Sequence, residues 1–295
     1  PALVPLVLPA QSRAELDKVL RRKVLANGLE VIVVENHGVP IATLEIDVRN
    51  GAFTQSPEYA GLAHMYEHMF FKANRDLPEP DMFTDRAAEL GAIFNGSTRE
   101  EVVNYYLTLP ADSLEGGLRF LASALRNPLF RQDELAREKE VVLGEYDRNE
   151  AEPGFEFIQQ STALLYPGQG SRKNTIGDRD VIAKVTPEQM RYIQKKYYVP
   201  NNCALIVTGD VDPERVFALA ERIYGDWPRG ADPFVADPIP PIPALNGNKA
   251  VIVEQPINAV AVLIQWQGPS VGKDPGATFA ADVFSDALNT PGSTF

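Results

Sequence analysis

At 295 residues, 44% of them hydrophobic and 23% charged, the chain has apolar material for one large domain or two smaller ones. A formal net charge of -12 argues against nucleic acid or an anionic membrane surface as a partner. No apolar run reaches the length of a transmembrane helix, and a single cysteine excludes an internal disulfide.

The opening Pro1–Ala10 lacks Met and a basic n-region and is too proline-rich for a helix. Residues 1–23 read as an N-terminal extension, and the start as a mature terminus left by signal removal. A periplasmic or otherwise exported location follows as an expectation. Leu29 to Val34 and Ile41 to Val48 alternate like strands, with turn residues 36–40 between them. A helix is predicted from about Glu58 to Lys72 and a second from Pro78 to Leu90, stopped by Gly91. Strands follow near Ala92–Ser97 and Val102–Leu109. Asp112 to Arg126 is amphipathic and ends before Pro128. Helical patterns continue over Gln132–Asn149 and Phe155–Leu165. Thr186-Pro187-Glu188-Gln189 opens a helix that runs to about Tyr197. Cys203 to Gly209 is a strand and Asp212 to Tyr224 a helix. The stretch 226–246 holds six prolines and reads as a linker. Beyond it, Lys249–Glu254 and Ala259–Trp266 look like strands and Asp274–Asn289 like a helix. This layout predicts an α+β fold, an antiparallel-rich sheet with helices packed on one face.

The predicted helix 58–72 carries the chemistry. His64-Met65-Tyr66-Glu67-His68 uses two of the three histidines in the chain. On a helix, positions four apart lie on one face, so both imidazoles can reach one metal ion. Glu67 is three residues from His64, and its carboxylate reaches the same face. The pattern is the zinc-hydrolase motif written in reverse. Two histidines four apart also occur as a chance surface pair. Here the surrounding residues are nearly all apolar, and buried polar groups need partners.

A catalytic zinc site takes three protein ligands and leaves one position open. His37 sits in a turn and is expected to be solvated, whereas Cys203 opens a core strand and reads as a small hydrophobe. Carboxylates remain. Glu134, Glu138, Val141, Val142 and Glu145 fall on one helical stripe, so acids share a face with valines that should point inward.

With that second segment the chain resembles the pitrilysin, insulysin and mitochondrial processing peptidase family of zinc metallopeptidases. The family pairs the inverted motif with a glutamate some 76 residues downstream, in a segment like Arg137-Glu138 followed by Glu145, and the match covers roughly residues 24 to 290. The resemblance implies one Zn2+ per chain held by His64, His68 and Glu145. It implies Glu67 as general base acting on a zinc-bound water, with Glu138 supporting it in catalysis rather than binding metal. In relatives a segment like Ala92-Ile93-Phe94-Asn95 is an edge strand that holds substrate backbone, which makes Ala92, Phe94 and Asn95 candidate substrate-binding residues. The implied activity is hydrolysis of peptide bonds in extended peptides or unfolded segments.

The family carries its domain twice. Residues 24–225 are thus the expected zinc-bearing domain, 226–246 the linker and 247–295 the beginning of a second, similar domain. Pro291–Phe295 falls where relatives begin the glycine-rich segment before a substrate-binding Arg-Tyr pair. The expected partner is therefore a second peptidase half or subunit, in a homo- or hetero-oligomer. Two alternatives stand beside this reading. One is a non-catalytic, peptide-binding subunit of a two-chain peptidase, against which all four motif positions argue. The other is a metal-dependent lyase like S-ribosylhomocysteine lyase, against which the length and the isolated Cys203 argue.

Overall fold

The computed structural model describes residues 18–255, 258, 260–290 and 292. The reading of Pro1–Ala10 and that of Pro291–Phe295 lie outside the described residues or nearly so. By its internal contacts the chain divides into two units, one of residues 1–149 and 171–240, the other of 150–170 and 241–295.

The first unit is built on a six-stranded sheet in the order β1-β2-β6-β3-β5-β4. The strands are β1 (Leu20–Val24), β2 (Glu30–Glu35), β3 (Ile41–Val48), β4 (Ile93–Thr98), β5 (Val103–Pro110) and β6 (Cys203–Gly209). Only β2 and β6 run parallel; every other neighbour is antiparallel. Along β3, Ala42, Leu44, Ile46 and Val48 are buried while the residues between them are not. β5 repeats this with Val103, Tyr105, Leu107 and Leu109. Period-two burial on paired strands means one covered face and one open face.

The covering helices are α1 (Leu62–Phe70), α2 (Met82–Glu89), α3 (Leu114–Arg126), α4 (Gln132–Glu150), α6 (Pro187–Tyr197) and α7 (Pro213–Tyr224), while α5 (Phe155–Leu165) and α8 (Pro275–Asn289) belong to the second unit. Thr186 caps α6 in a reciprocal capping box with Gln189, as its sequence requires. Cys203 is buried in the core, and burial pushes its thiol up.

Four expectations need correction. The predicted helix 58–72 is shorter, because Pro57–Tyr59 forms a 3-10 turn and Gly61 lies in the left-handed region at φ 90 before α1 begins. The second helix starts at Met82 rather than Pro78. Asp81 ahead of it sits at φ 68, outside helical geometry. Val142 is fully buried, but its neighbour Val141 is 48% exposed; a 100° step turns one of two adjacent residues outward. Lys249–Glu254 and residues 260–266 form no strand among the described residues. Both are nearly continuous apolar runs with no paired neighbour among the described residues, and a strand is defined by its ladder. Val262, Ile264 and Trp266 are accordingly exposed, as are Phe279 and Val283 on α8. Short helices at Arg179–Ala183 and Pro233–Ala236 lie outside the predicted elements, as does β1, which takes up the end of the expected extension 1–23; it is highly charged and wholly exposed, and an edge strand needs no apolar alternation.

On the open face, Asp47 and Glu45 are two residues apart on β3. Burial and the adjacent Glu45 push the Asp47 carboxyl up to about 6. A raised acid stabilises the fold fully below its unfolded value near 3.8, and that contribution is lost as pH rises through about 6. Asp47→Asn should therefore stabilise the protein above pH 6. Allowing for solvent screening, the gain is about 1 kcal/mol, or about 2 °C in melting temperature at pH 7.5. Thermal melts at pH 7.5 and pH 4 check it; a lower melting temperature at pH 7.5 rejects it.

Candidate metal centre

α1 is held rigidly before it holds anything else. Leu62, Ala63, Met65, Tyr66, Met69 and Phe70 are buried, so the helix is fixed on its apolar side. Tyr66 stacks on Tyr198 at 3.9 Å between ring centroids and Phe70 on Tyr105 at 3.6 Å. The N-terminus is anchored as well. The Gln55 side-chain oxygen accepts the Ala63 N–H at 3.1 Å, one of the orphan donors of the first turn. A Cβ at Gly61 would lie 2.8 Å from the Ile176 carbonyl oxygen, so only glycine permits this approach.

His64, Glu67 and His68 occupy the half-buried stripe of α1. The two imidazoles meet edge to face with centroids 4.8 Å apart. Glu145 on α4 reaches between them, its Oε2 3.5 Å from His64 Nε2 and 3.7 Å from His68 Nε2. One donor atom from each of the three residues lies within 4.8 Å of the others. These separations are too long for hydrogen bonds. Ligands at 2.0–2.1 Å from a tetrahedral ion are about 3.3–3.4 Å apart, close to the distances seen. The donor set, two imidazoles and a carboxylate, suits zinc, and these three residues would hold it. Burial and the adjacent His68 push His64 down to about 4, so its imidazole is neutral and carries the lone pair a metal needs.

α4 faces α1 along three of its own positions. Glu134 accepts the backbone N–H of Ala73 at 3.2 Å and is buried. Glu138 lies 3.2 Å from His68 Nδ1 through Oε2 and 2.7 Å from Lys72 Nζ through Oε1. Burial acts to raise Glu138, yet its bonds to His68 and Lys72 hold it below the usual carboxylate range. His68 moves the other way: burial lowers it, and the bond to Glu138 with the charges of Glu145, Glu138 and Glu67 outweighs that. Glu138 is thus an ionised acceptor for Nδ1–H, which leaves Nε2 of His68 directed at Glu145.

Glu67 stands outside the donor cluster. Thr98 at the end of β4 donates its hydroxyl to Glu67 Oε2 at 2.6 Å. Burial raises the carboxyl above its ordinary value against the pull of Thr98 and His68. Gly96 makes this proximity possible, since a Cβ there would lie 3.1 Å from Glu67 Cγ and 3.2 Å from the Asn104 carbonyl. Among the described residues β4 ends the sheet and pairs only with β5, so its outer edge offers unpaired backbone groups there. Asn95 is exposed there, with its Oδ1 taking the Gly96 N–H at 2.9 Å. Phe94 points elsewhere: its ring packs against Phe71 and Phe83 at 5.4 and 5.1 Å. Ala92 precedes the strand and donates its N–H to Ala87 O. His37 is exposed, 2.6 Å from Asp210, far in sequence and partners from this cluster.

Lys72, Thr98 and Gly96 escaped the sequence reading. Lys72 was legible, because it continues the 64–68 stripe by one more turn. Lys72→Met should loosen zinc about tenfold by freeing Glu138 from its counter-charge. Competition with a fluorescent chelator measures this, and Lys72→Arg should restore it. Unchanged affinity in Lys72→Met would show that Glu138 needs no counter-charge.

The sequence profile described as Insulinase (Peptidase family M16) matches residues 30–175, and that described as Peptidase M16 inactive domain matches residues 184–294. Between them the two matches span most of the chain. It belongs to the M16 peptidase family. Among M16 relatives, the chain is 26% identical over 206 residues to an uncharacterized zinc protease of Rickettsia felis, covering 70% of this chain and 50% of the relative. It is 26% identical over 240 residues to the zinc protease PqqE of Helicobacter pylori, covering 78% and 52%. The chain thus spans about half the length of these M16 proteins. The crystal structure of the periplasmic protease PqqL from Escherichia coli aligns over 73% of this chain and 24% of that one, at 23% identity and a TM-score of 0.67. That likeness shows the shared M16 fold.

Proposed function

We propose that this chain is the metal-bearing part of a zinc endopeptidase that cuts extended peptides or unfolded segments. The observation that carries the reading is the convergence of His64, His68 and Glu145 on one point with Glu67 beside it. Zinc, when bound, supplies a Lewis acid and makes water acidic enough to yield hydroxide near neutral pH. Glu67 takes the proton of the attacking water and returns it to the leaving amine. Burial favours this role, because it brings the carboxylate closer in basicity to the groups it exchanges protons with. Glu138 and Lys72 orient His68, and Thr98 holds Glu67. The free edge of β4 at Asn95 offers main-chain pairing to a peptide, the β-augmentation mode. Residues 247–295 fall within the match to the M16 inactive-domain profile, and a further peptidase half or subunit is the expected partner. A periplasmic or exported setting accords with the likeness to the Escherichia coli protein. Among the described residues no helix is long and apolar enough to cross a membrane.

The test is the zinc content of the purified chain together with hydrolysis of a quenched fluorescent peptide library, alone and with a candidate partner chain. About one zinc per chain and metal-dependent cleavage support the reading. A folded chain that takes up no zinc overturns it. Zinc without cleavage under either condition leaves the binding-subunit alternative in its place.

A further inference from the structure

An open polar hollow of about 360 Å3 lies in the first unit where the C-terminal parts of α3 and α7 meet the loop that leaves α1. Four arginines line it: Arg75, Arg119, Arg126 and Arg222. None belongs to the metal centre. In a chain of net charge -12, four guanidinium groups around one hollow are out of keeping with the rest of the sequence.

Their partners do not exhaust them. Arg126 donates to the Ile223 carbonyl at 2.9 Å and meets Asp226 at 2.8 Å. Arg119 and Arg222 share one carboxylate, Glu115, at 2.9 and 2.8 Å. Arg75 has Asp76 at 3.8 Å, and that carboxylate already accepts the Ser123 hydroxyl at 2.6 Å. Four positive charges thus face three negative ones. Each guanidinium carries five N–H donors, most of them unspent here. Glu115 and Asp226 are 42% and 79% exposed, and exposed pairs of this kind contribute only about 0–1 kcal/mol. They can swing aside for a stronger anion. Two helix ends come together at this hollow, and a cation near each complements the dipole. Arg126 and Arg222, in the last turns of α3 and α7, do that, and neither Arg75 nor Arg119 is needed for it.

We propose that this hollow is a binding site for an oligophosphate, two or more linked phosphate groups each taken by guanidinium forks. A single carboxylate engages one or two such forks, whereas a phosphate chain can span several, and planar guanidinium matches phosphate bidentately. The phosphate chain is supplied by free inorganic polyphosphate or by a nucleotide.

Isothermal titration of the purified chain with tripolyphosphate, at constant ionic strength and without added divalent metal, tests it. Saturable one-to-one binding is expected, weakened at least tenfold in Arg119→Ala/Arg222→Ala and also in Arg75→Ala. These side chains are more than half exposed, so the fold should persist; circular dichroism verifies it. Arg191→Ala/Arg215→Ala removes the same charge elsewhere on the surface and should leave binding intact. Equal affinity for tripolyphosphate and a nucleoside triphosphate identifies the phosphate chain as the whole determinant. At least tenfold tighter binding of the nucleotide identifies nucleotides as the source. Binding no stronger than that of sulfate, binding unchanged in the hollow's variants, or binding weakened equally by the control overturns the proposal.

Discussion

Glu67→Gln is expected to keep its zinc and to lose peptide hydrolysis by a factor of about 10²–10⁴, the range that general acid–base catalysis supplies. The two halves of this outcome rest on different geometry. Zinc is kept because the donor cluster consists of His64, His68 and Glu145, and Glu67 is no part of it. The fold is kept because glutamine has the same shape, and its amide oxygen can still accept the Thr98 hydroxyl. Hydrolysis falls because an amide cannot take the proton from water or return it to the amine. Metal analysis and peptide kinetics on one preparation separate the two. Zinc lost along with activity would move Glu67 into the ligand set. Full activity in the variant would end its role as base and require another proton acceptor. Thr98→Val refines the result: a hydroxyl that only positions Glu67 should cost less than Glu67→Gln does, mostly in kcat.

The parts of the site that could be read from sequence are those set by local periodicity. His64, Glu67 and His68 lie within five residues, and any helix there presents them together. Glu134, Glu138 and Glu145 lie at spacings of four and seven, which also keep to one stripe, and the structure places all three toward α1. What joins the two helices is tertiary, and no spacing within either one reveals it. Thr98 and Gly96 act across a strand–helix contact, and each is unremarkable in its own segment. Phe94 shows the opposite limit. It stands in the right strand, but alternation sends its side chain into the aromatic cluster of Phe71 and Phe83, away from the free edge. The strands were readable where both faces of the alternation differ, as in β3 and β5. β1 lacks that contrast, and the stretches near 249–254 and 260–266 are nearly continuous apolar runs with no partner strand among the described residues.

Glu145→Gln is expected to abolish zinc-dependent stabilisation while leaving the metal-free protein about as stable as the parent. Glu145 is the one member of the donor cluster on α4, so an ion held there would link α4 to α1 across otherwise long distances of 3.5 and 3.7 Å. Without the ion, Glu145 is a carboxylate set near Glu67, whose own proton affinity it raises. Replacing it by an amide removes that repulsion together with its attraction for His68, and the two offset. With the ion, the parent gains RT ln(1 + [Zn]/Kd), about 2.7 kcal/mol at a hundredfold excess over Kd. A neutral amide oxygen is a far poorer zinc ligand, so affinity should fall by more than the tenfold to hundredfold typical of changes in outer-sphere residues. Melting curves with and without zinc read both effects from one protein. The parent's transition should climb with added zinc, and that of the variant should stay where it began. If the variant still climbs in parallel with the parent, His64 and His68 bind the ion with a different third group. If the metal-free variant melts well below the metal-free parent, Glu145 holds α4 to α1 by itself, and its first role is structural.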